Sequence, residues 1–241
     1  MQKSHLASIE AARLGFAPEQ QPVLELPPLP PIDPYYLQAD FLQQALQLPI
    51  PWSVEPLFAD EFAPGFEQFP GARKAAVCIP LVQRPEGLSM LLTRRAGHLV
   101  HHAVQISFPG GRVEAEDQNA IETALRETHE EVGIAPHYIQ ALSEEPVFIT
   151  NSRFAMRPVV GLVQPDFQLR IDQAEVAEAF EVPLAVLMDP AQHQLHRLQR
   201  GQQPTRYYFS MTWQRYFIWG ATAVVIRNLY HHVAAAIPHL K

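Results

Sequence analysis

Beyond residue 72 the chain alternates between continuous apolar runs and apolar residues at helical spacing. Ala75 to Val82 is almost wholly apolar, which predicts a buried strand. Leu88 to Arg94 predicts a second strand, with Pro85-Glu86-Gly87 supplying the turn between them. Ile106-Ser107-Phe108 reads as a short strand leading into Gly110-Gly111. Ile121, Ala124, Leu125, Thr128 and Val132 then keep helical spacing; Asn119 can cap the start, and Gly133 can close the end in a left-handed conformation. Val147 to Ile149 and Pro158 to Val163 predict strands, and Glu175 to Phe180 and Val186 to Met188 short helical turns. Tyr207 to Met211 and Tyr216 to Trp219 predict a hairpin, and Ala221 to Ile237 a long amphipathic helix. No internal repeat is visible. A mixed sheet between helices, in the α/β class, accommodates this order.

Residues 1–72 follow another pattern and read as a proline-rich N-terminal extension preceding a domain of residues 73–241. About half of the 23 prolines fall there, and Pro27-Pro28-Leu29-Pro30-Pro31 favours extended polyproline geometry. Ser4 to Leu14 and Tyr35 to Leu48 have helical spacing. Frequent aromatic residues (Trp52, Phe58, Phe62, Phe66 among them) argue for a segment wrapped on the domain, or on a second copy of the chain in a homodimer.

Composition narrows the function. With 241 residues, 47% of them hydrophobic, the chain can bury an ordinary core. Its one cysteine, Cys78, lies in an apolar run, which points to a packed thiol and a reducing compartment. Met1 to Gly15 has no continuous apolar stretch, and the run from Phe217 to Ile226 is too short to span a bilayer. A cytoplasmic protein that binds no membrane is therefore expected. A net charge of −7 with 18 Lys and Arg argues against nucleic-acid binding. An anionic ligand would need a metal or local arginines.

The chemistry concentrates at Arg126-Glu127-Thr128-His129-Glu130-Glu131-Val132-Gly133-Ile134. On a helix, Glu127 meets Glu130 and Glu131 at i+3 and i+4, so three like charges crowd one face. A solvated acidic face would interleave lysines at i+4, and none appears. The cluster calls for a hard divalent cation, Mg²⁺ or Mn²⁺, with Glu127, Glu130 and Glu131 as ligands. Either Glu127 or Glu130 could double as the base. A backbone carbonyl at Gly110-Gly111 could reach the same cation, with Gly111 the candidate. Arg126 is placed to brace Glu127 and the loop before the helix. Arg94, Arg95 and Arg112 are candidate phosphate contacts. His98, His101 and His102 lack the spacing and partners of a zinc site. Trp213 and Trp219 could stack on a base, although core packing is the commoner fate.

This segment resembles the Nudix box, the signature of Mg²⁺-dependent hydrolases that cleave a diphosphate linked to another moiety. Arg126, Glu127, Glu130, Glu131, Gly133 and Ile134 fill their slots. The front half departs: counted from Gly111, the first acidic slot holds Asp117 rather than Glu, and the stretch to Arg126 is one residue longer. Leu91-Leu92-Thr93-Arg94-Arg95, Leu99, His102 and Gln105 to Gly111, with Pro158 to Gly161, Phe180 to Leu184 and Tyr216 to Ala223, are similar to the coenzyme A pyrophosphatase branch. Val100 and Val104 stand where that branch has arginine and glycine, and Arg153 replaces a glycine that usually follows Ser152.

The resemblance implies a Nudix-type α/β/α sandwich with a mixed sheet. It implies hydrolysis of a small-molecule diphosphate, coenzyme A or an acyl derivative, to adenosine 3′,5′-bisphosphate and (acyl-)phosphopantetheine. It also implies a further metal ligand near Glu175, an exposed helix-start glutamate being the plainer reading, and a substrate contact at His102. Its rivals are a hydrolase of another nucleoside diphosphate derivative and a non-catalytic nucleotide-binding module.

Overall fold

The computed structural model describes residue 11 and residues 14–97 and 105–240. Ser4 to Leu14 lies almost wholly outside the described residues, as do Val100, Val104 and the histidines 98, 101 and 102. In chain order the strands are β1 (Val23–Leu24), β2 (Phe62–Ala63), β3 (Arg73–Arg84), β4 (Gly87–Arg95), β5 (Ile106–Ser107), β6 (Gly110–Arg112), β7 (Ile139–Glu144), β8 (Val147–Ile149), β9 (Phe154–Val163), β10 (Val176–Pro183), β11 (Gln194–Leu198), β12 (Arg206–Trp213) and β13 (Tyr216–Trp219). The α-helices are α1 (Ala39–Ala45), α2 (Ala120–Val132), α3 (Leu184–Leu187) and α4 (Ala221–Ala236).

Among the described residues the strands form two sheets. The larger runs β10-β4-β3-β9-β8-β2, with β5, β6 and β7 pairing β4, β3 and β9; the smaller runs β1-β11-β12-β13. The larger sheet is mixed: β3 and β9 are parallel and β3 and β4 antiparallel. Along β3, Ala76 and Cys78 enter the core under α2, whereas Val77, Ile79 and Leu81 enter the core shared with α4. The apolar run of β3 is thus explained: both of its faces are covered.

Two expectations are corrected. Glu175 to Phe180 is not a helical turn; it enters β10, whose Val176, Phe180 and Val182 pair with Arg95, Leu92 and Met90 of β4. Alanine and glutamate favour helix locally, but an open edge of β4 offers ladder bonds and core contacts that outweigh the preference. The helix α4 is not amphipathic over its first half: Thr222 to Tyr230 are all buried. It lies within a core common to both sheets and the N-terminal segment, whose Ile32, Leu37, Leu42 and Leu46 join that core. Tyr35 to Leu48 divides into a 3₁₀ turn, Pro34–Leu37, and α1. No helix of the described residues is long and apolar enough to cross a membrane.

Candidate active site on the glutamate helix

The N-cap of α2 forms as its sequence directs. Asn119 accepts from the Glu122 N–H at 2.9 Å, while Glu122 reaches back to the Gln118 N–H at 2.8 Å. At the other end Gly133 takes φ 78° and donates to the His129 carbonyl. The helix lies against β6, and a methyl group at the Gly111 Cα would come within 2.3 Å of a Glu127 carboxylate oxygen, so the carboxylate would have to move. Gly110 has φ 157°, and a methyl group there would come within 2.5 Å of the Ala76 carbonyl. The glycine pair lets the strand backbone and the Glu127 carboxylate meet directly.

The three glutamates occupy unequal environments. Glu131 is 3% exposed; its Oε1 lies 3.7 Å from Arg95 Nη1, and its Oε2 is buried with no hydrogen-bond partner. Burial pushes its carboxyl up to about 8; Arg95 opposes the rise, and the charges of Glu175 and Glu127 add to it. Glu127 is also raised, by burial first; Arg126 draws it back down, and Glu130 and Glu175 push it up. Glu130 is exposed and accepts from Arg126 Nη1 at 3.1 Å. Glu175 is exposed at the start of β10, its carbonyl accepting from the Ala96 N–H at 2.8 Å. The loop before it is tied to α2 by the Asp172 N–H, which donates to the Glu131 carbonyl at 3.0 Å.

Arg126 spans the site. Nε and Nη2 form a fork on the two Asp117 oxygens at 3.0 and 2.9 Å, Nη1 donates to Glu127 at 3.0 Å, and Nη2 donates to the Arg112 carbonyl at 3.0 Å. Asp117 also accepts from the Glu114 N–H and the Thr123 hydroxyl. The Arg126 guanidinium, above all, holds the Asp117 carboxyl far below the usual carboxylate range. Sequence reasoning left Asp117 without a role; the spacing from Gly111 was the signal, and the extra loop residue obscured it.

Of the candidate phosphate contacts, Arg95 faces Glu131 from the adjoining strand. Arg94 turns elsewhere, its Nη2 2.6 Å from Glu178 Oε2, in a network with Arg215 and Tyr216. Arg112 is exposed, beside the Phe154 ring. Trp219 packs edge-on against Phe16 and Tyr208. Cys78 is wholly buried, and burial pushes its thiol up to about 12, so it is no nucleophile.

Among the described residues no three His, Cys, Asp or Glu side chains stand close enough together to hold a metal ion as they are arranged. The donor set nevertheless fits a divalent cation. An orphaned buried carboxylate oxygen at Glu131, and mutual repulsion among Glu127, Glu130 and Glu175, are what a cation would relieve.

The chain belongs to the Nudix family: a NUDIX domain model matches residues 72–203. It is similar to the Nudix hydrolase NudL of Enterobacter sp. (strain 638), 41% identical over 157 residues, 65% of this chain and 81% of that protein. NudL of Escherichia coli (strain K12) is 40% identical over the same shares. Among solved structures, a MutT/nudix family protein from Enterococcus faecalis aligns at 18% identity and TM-score 0.41, over 81% of this chain and 69% of that one. The protein is accordingly a Nudix hydrolase, of a class that acts on phosphoanhydride bonds.

Proposed function

We propose that this chain hydrolyses the diphosphate of coenzyme A or an acyl derivative in the cytoplasm, releasing adenosine 3′,5′-bisphosphate and (acyl-)phosphopantetheine. The observation that carries the chemistry is the carboxylate face of α2 set against Gly110-Gly111, with one buried Glu131 oxygen lacking any donor. Glu127, Glu130 and Glu131 would hold Mg²⁺ or Mn²⁺, with Glu175 and the Gly111 carbonyl as further candidates. A bound divalent cation neutralises phosphate oxygens and acidifies a coordinated water.

The chain's own residues position the rest. Glu127 and Glu130 are the candidate bases, and Arg126 holds both carboxylates in place. Arg95, 3.7 Å from Glu131, would offset charge there and contact a phosphate oxygen. The leucine-rich strand and the Phe-Pro-Gly-Gly approach to α2, which resemble the coenzyme A branch, support that substrate. Valines at 100 and 104 favour the second reading, another nucleoside diphosphate derivative such as an ADP-sugar or dinucleotide.

Incubating the purified protein with a panel of diphosphates and Mg²⁺ or Mn²⁺ separates the two. Cleavage of coenzyme A ahead of ADP-ribose and dinucleotides is the expected result; cleavage of another compound with coenzyme A untouched overturns the first reading. Glu130→Gln should abolish turnover whichever substrate is right.

A further inference from the structure

A patch of arginines adjoins the strand that carries Gly111. Two arginines from separate segments, Arg73 of β3 and Arg112 of β6, lie over the Phe154 ring, and Arg153 directly precedes that ring in the turn before β9. The Arg73 guanidinium lies 3.9 Å from the Phe154 ring centre and that of Arg112 5.6 Å from it. The Arg73 Nη2 donates to the Ser152 carbonyl at 2.9 Å, and the Arg73 N–H donates to the Arg153 carbonyl at 3.0 Å. Among the described residues none of the three forms an ion pair with a carboxylate, and neither do Arg170, Arg197, Arg200 and Arg206, whereas Arg84, Arg94, Arg95, Arg126, Arg157, Arg215 and Arg227 do. What sets Arg73 and Arg112 apart is that both guanidinium groups share one aromatic ring without a carboxylate between them.

The turn carrying Arg153 has its own oddity. Arg153 takes φ 59°, a left-handed conformation that disfavours a residue with a side chain. The turn is held by the Thr150 and Ser152 hydroxyls at 3.0 Å, and by the Arg153 N–H donating to the Thr150 carbonyl at 2.9 Å. Glycine would satisfy that backbone more readily, so the arginine is present despite its conformational cost.

We infer that Arg73, Arg112 and Arg153 form a subsite for a phosphomonoester, the extra phosphate on the ribose of the substrate rather than the diphosphate being cleaved. A phosphomonoester is nearly dianionic at neutral pH and offers three acceptor oxygens, which guanidinium forks match. The Phe154 ring holds two of the guanidinium groups, both on exposed residues. Arg112 directly follows Gly111, and its carbonyl is bound by Arg126, so the subsite and the glutamate face share one strand. A nucleoside bridging them would carry its diphosphate at the glutamates and its second phosphate at the arginines. This rests on the reading above, in which the substrate carries such a phosphate.

The test compares substrates differing only in that group. For the wild-type chain, kcat/KM should favour coenzyme A over 3′-dephospho-coenzyme A. In Arg73→Ala/Arg112→Ala the ratio should fall by roughly tenfold or more, toward one. An unchanged ratio overturns the subsite. Calorimetric titration of the full chain with adenosine 3′,5′-bisphosphate and with adenosine 5′-monophosphate decides the matter without turnover. Tighter binding of the bisphosphate, lost in the double variant at an unchanged melting temperature, supports the subsite; equal affinities in the wild type overturn it. Inorganic phosphate binding as tightly as the bisphosphate would mark a free-anion site, and would likewise overturn it. If neither coenzyme is hydrolysed, the proposed function fails, while the titrations still judge the arginines.

Discussion

Arg126 has five N–H groups, and all five are used: two on Asp117, one on the Arg112 carbonyl, and two shared between Glu127 and Glu130. Its fork on Asp117 fixes the guanidinium plane, and that plane sets where the two glutamates stand. Asp117 is thus a positioning residue acting through Arg126. Asp117→Ala should lower kcat by roughly one to two orders of magnitude, because misplacing reactive groups by an ångström is that costly. Its loss of charge-assisted hydrogen bonds should reduce stability by about 1 to 3 kcal/mol. Asp117→Asn keeps acceptor shape without charge and should fall between. Steady-state kinetics beside thermal melts check this; full activity in Asp117→Ala would remove Asp117 from the site. At this scale the sequence displayed the clustered glutamates and Arg126 plainly. It did not display the unequal burial of Glu131 and Glu130, which depends on what packs over each helix position, nor the diversion of Arg94 to Glu178.

The contact of α2 with β6 is the element-scale device. The ladder pairs Gly111 with Ala76, and the missing side chain at 111 makes room for the Glu127 carboxylate. Gly111→Ala should leave the strand paired and displace that carboxylate. Mn²⁺ affinity, followed by titration of the paramagnetic ion, should weaken by about tenfold or more, since moving a ligand's support has that order of effect. Unaltered Mn²⁺ affinity would dissociate Gly111 from the site. The caps of α2, β3, β4 and the hairpin were legible because each has its turn or cap residue beside a clear period. Strands β7 and β11 were not. In β7 a register shift between Ala141 and Ser143 breaks the alternation, and in β11 adjacent Leu195 and His196 are both buried. Neither pattern carries a period of two.

Over the whole molecule, the N-terminal segment is fastened to α4 through buried charge. Glu55 pairs with Arg227 and His231, and its N–H donates to Asn228 at 3.1 Å. His193 adjoins Arg227, and its Nε2 lies 2.8 Å from the Leu187 carbonyl; Trp52 stacks on His232 at 4.6 Å. Aromatic richness hinted at this wrapping; the partners lie more than 170 residues away, beyond any local pattern. The network makes stability depend on pH with a definite sign. Burial lowers His193 from 6.5 to about 4, so the folded chain resists a proton that the unfolded chain accepts. Stability is therefore complete above about pH 6.5 and falls as pH drops toward 4. Glu55 is lowered from 4.5 to about 2, its bonds to His231 and Arg227 outweighing burial, so its contribution is lost as pH falls from 4.5 toward 2. Urea midpoints of wild type and His193→Gln, compared from pH 7 to 4, test the first group, because titrations remote from it cancel in the difference. The variant should lose the wild-type decline between pH 6.5 and 4, whereas Glu55→Gln should flatten only the segment below 4.5. Parallel curves for wild type and His193→Gln across that upper window would show that burial of the imidazole beside Arg227 does not govern the decline.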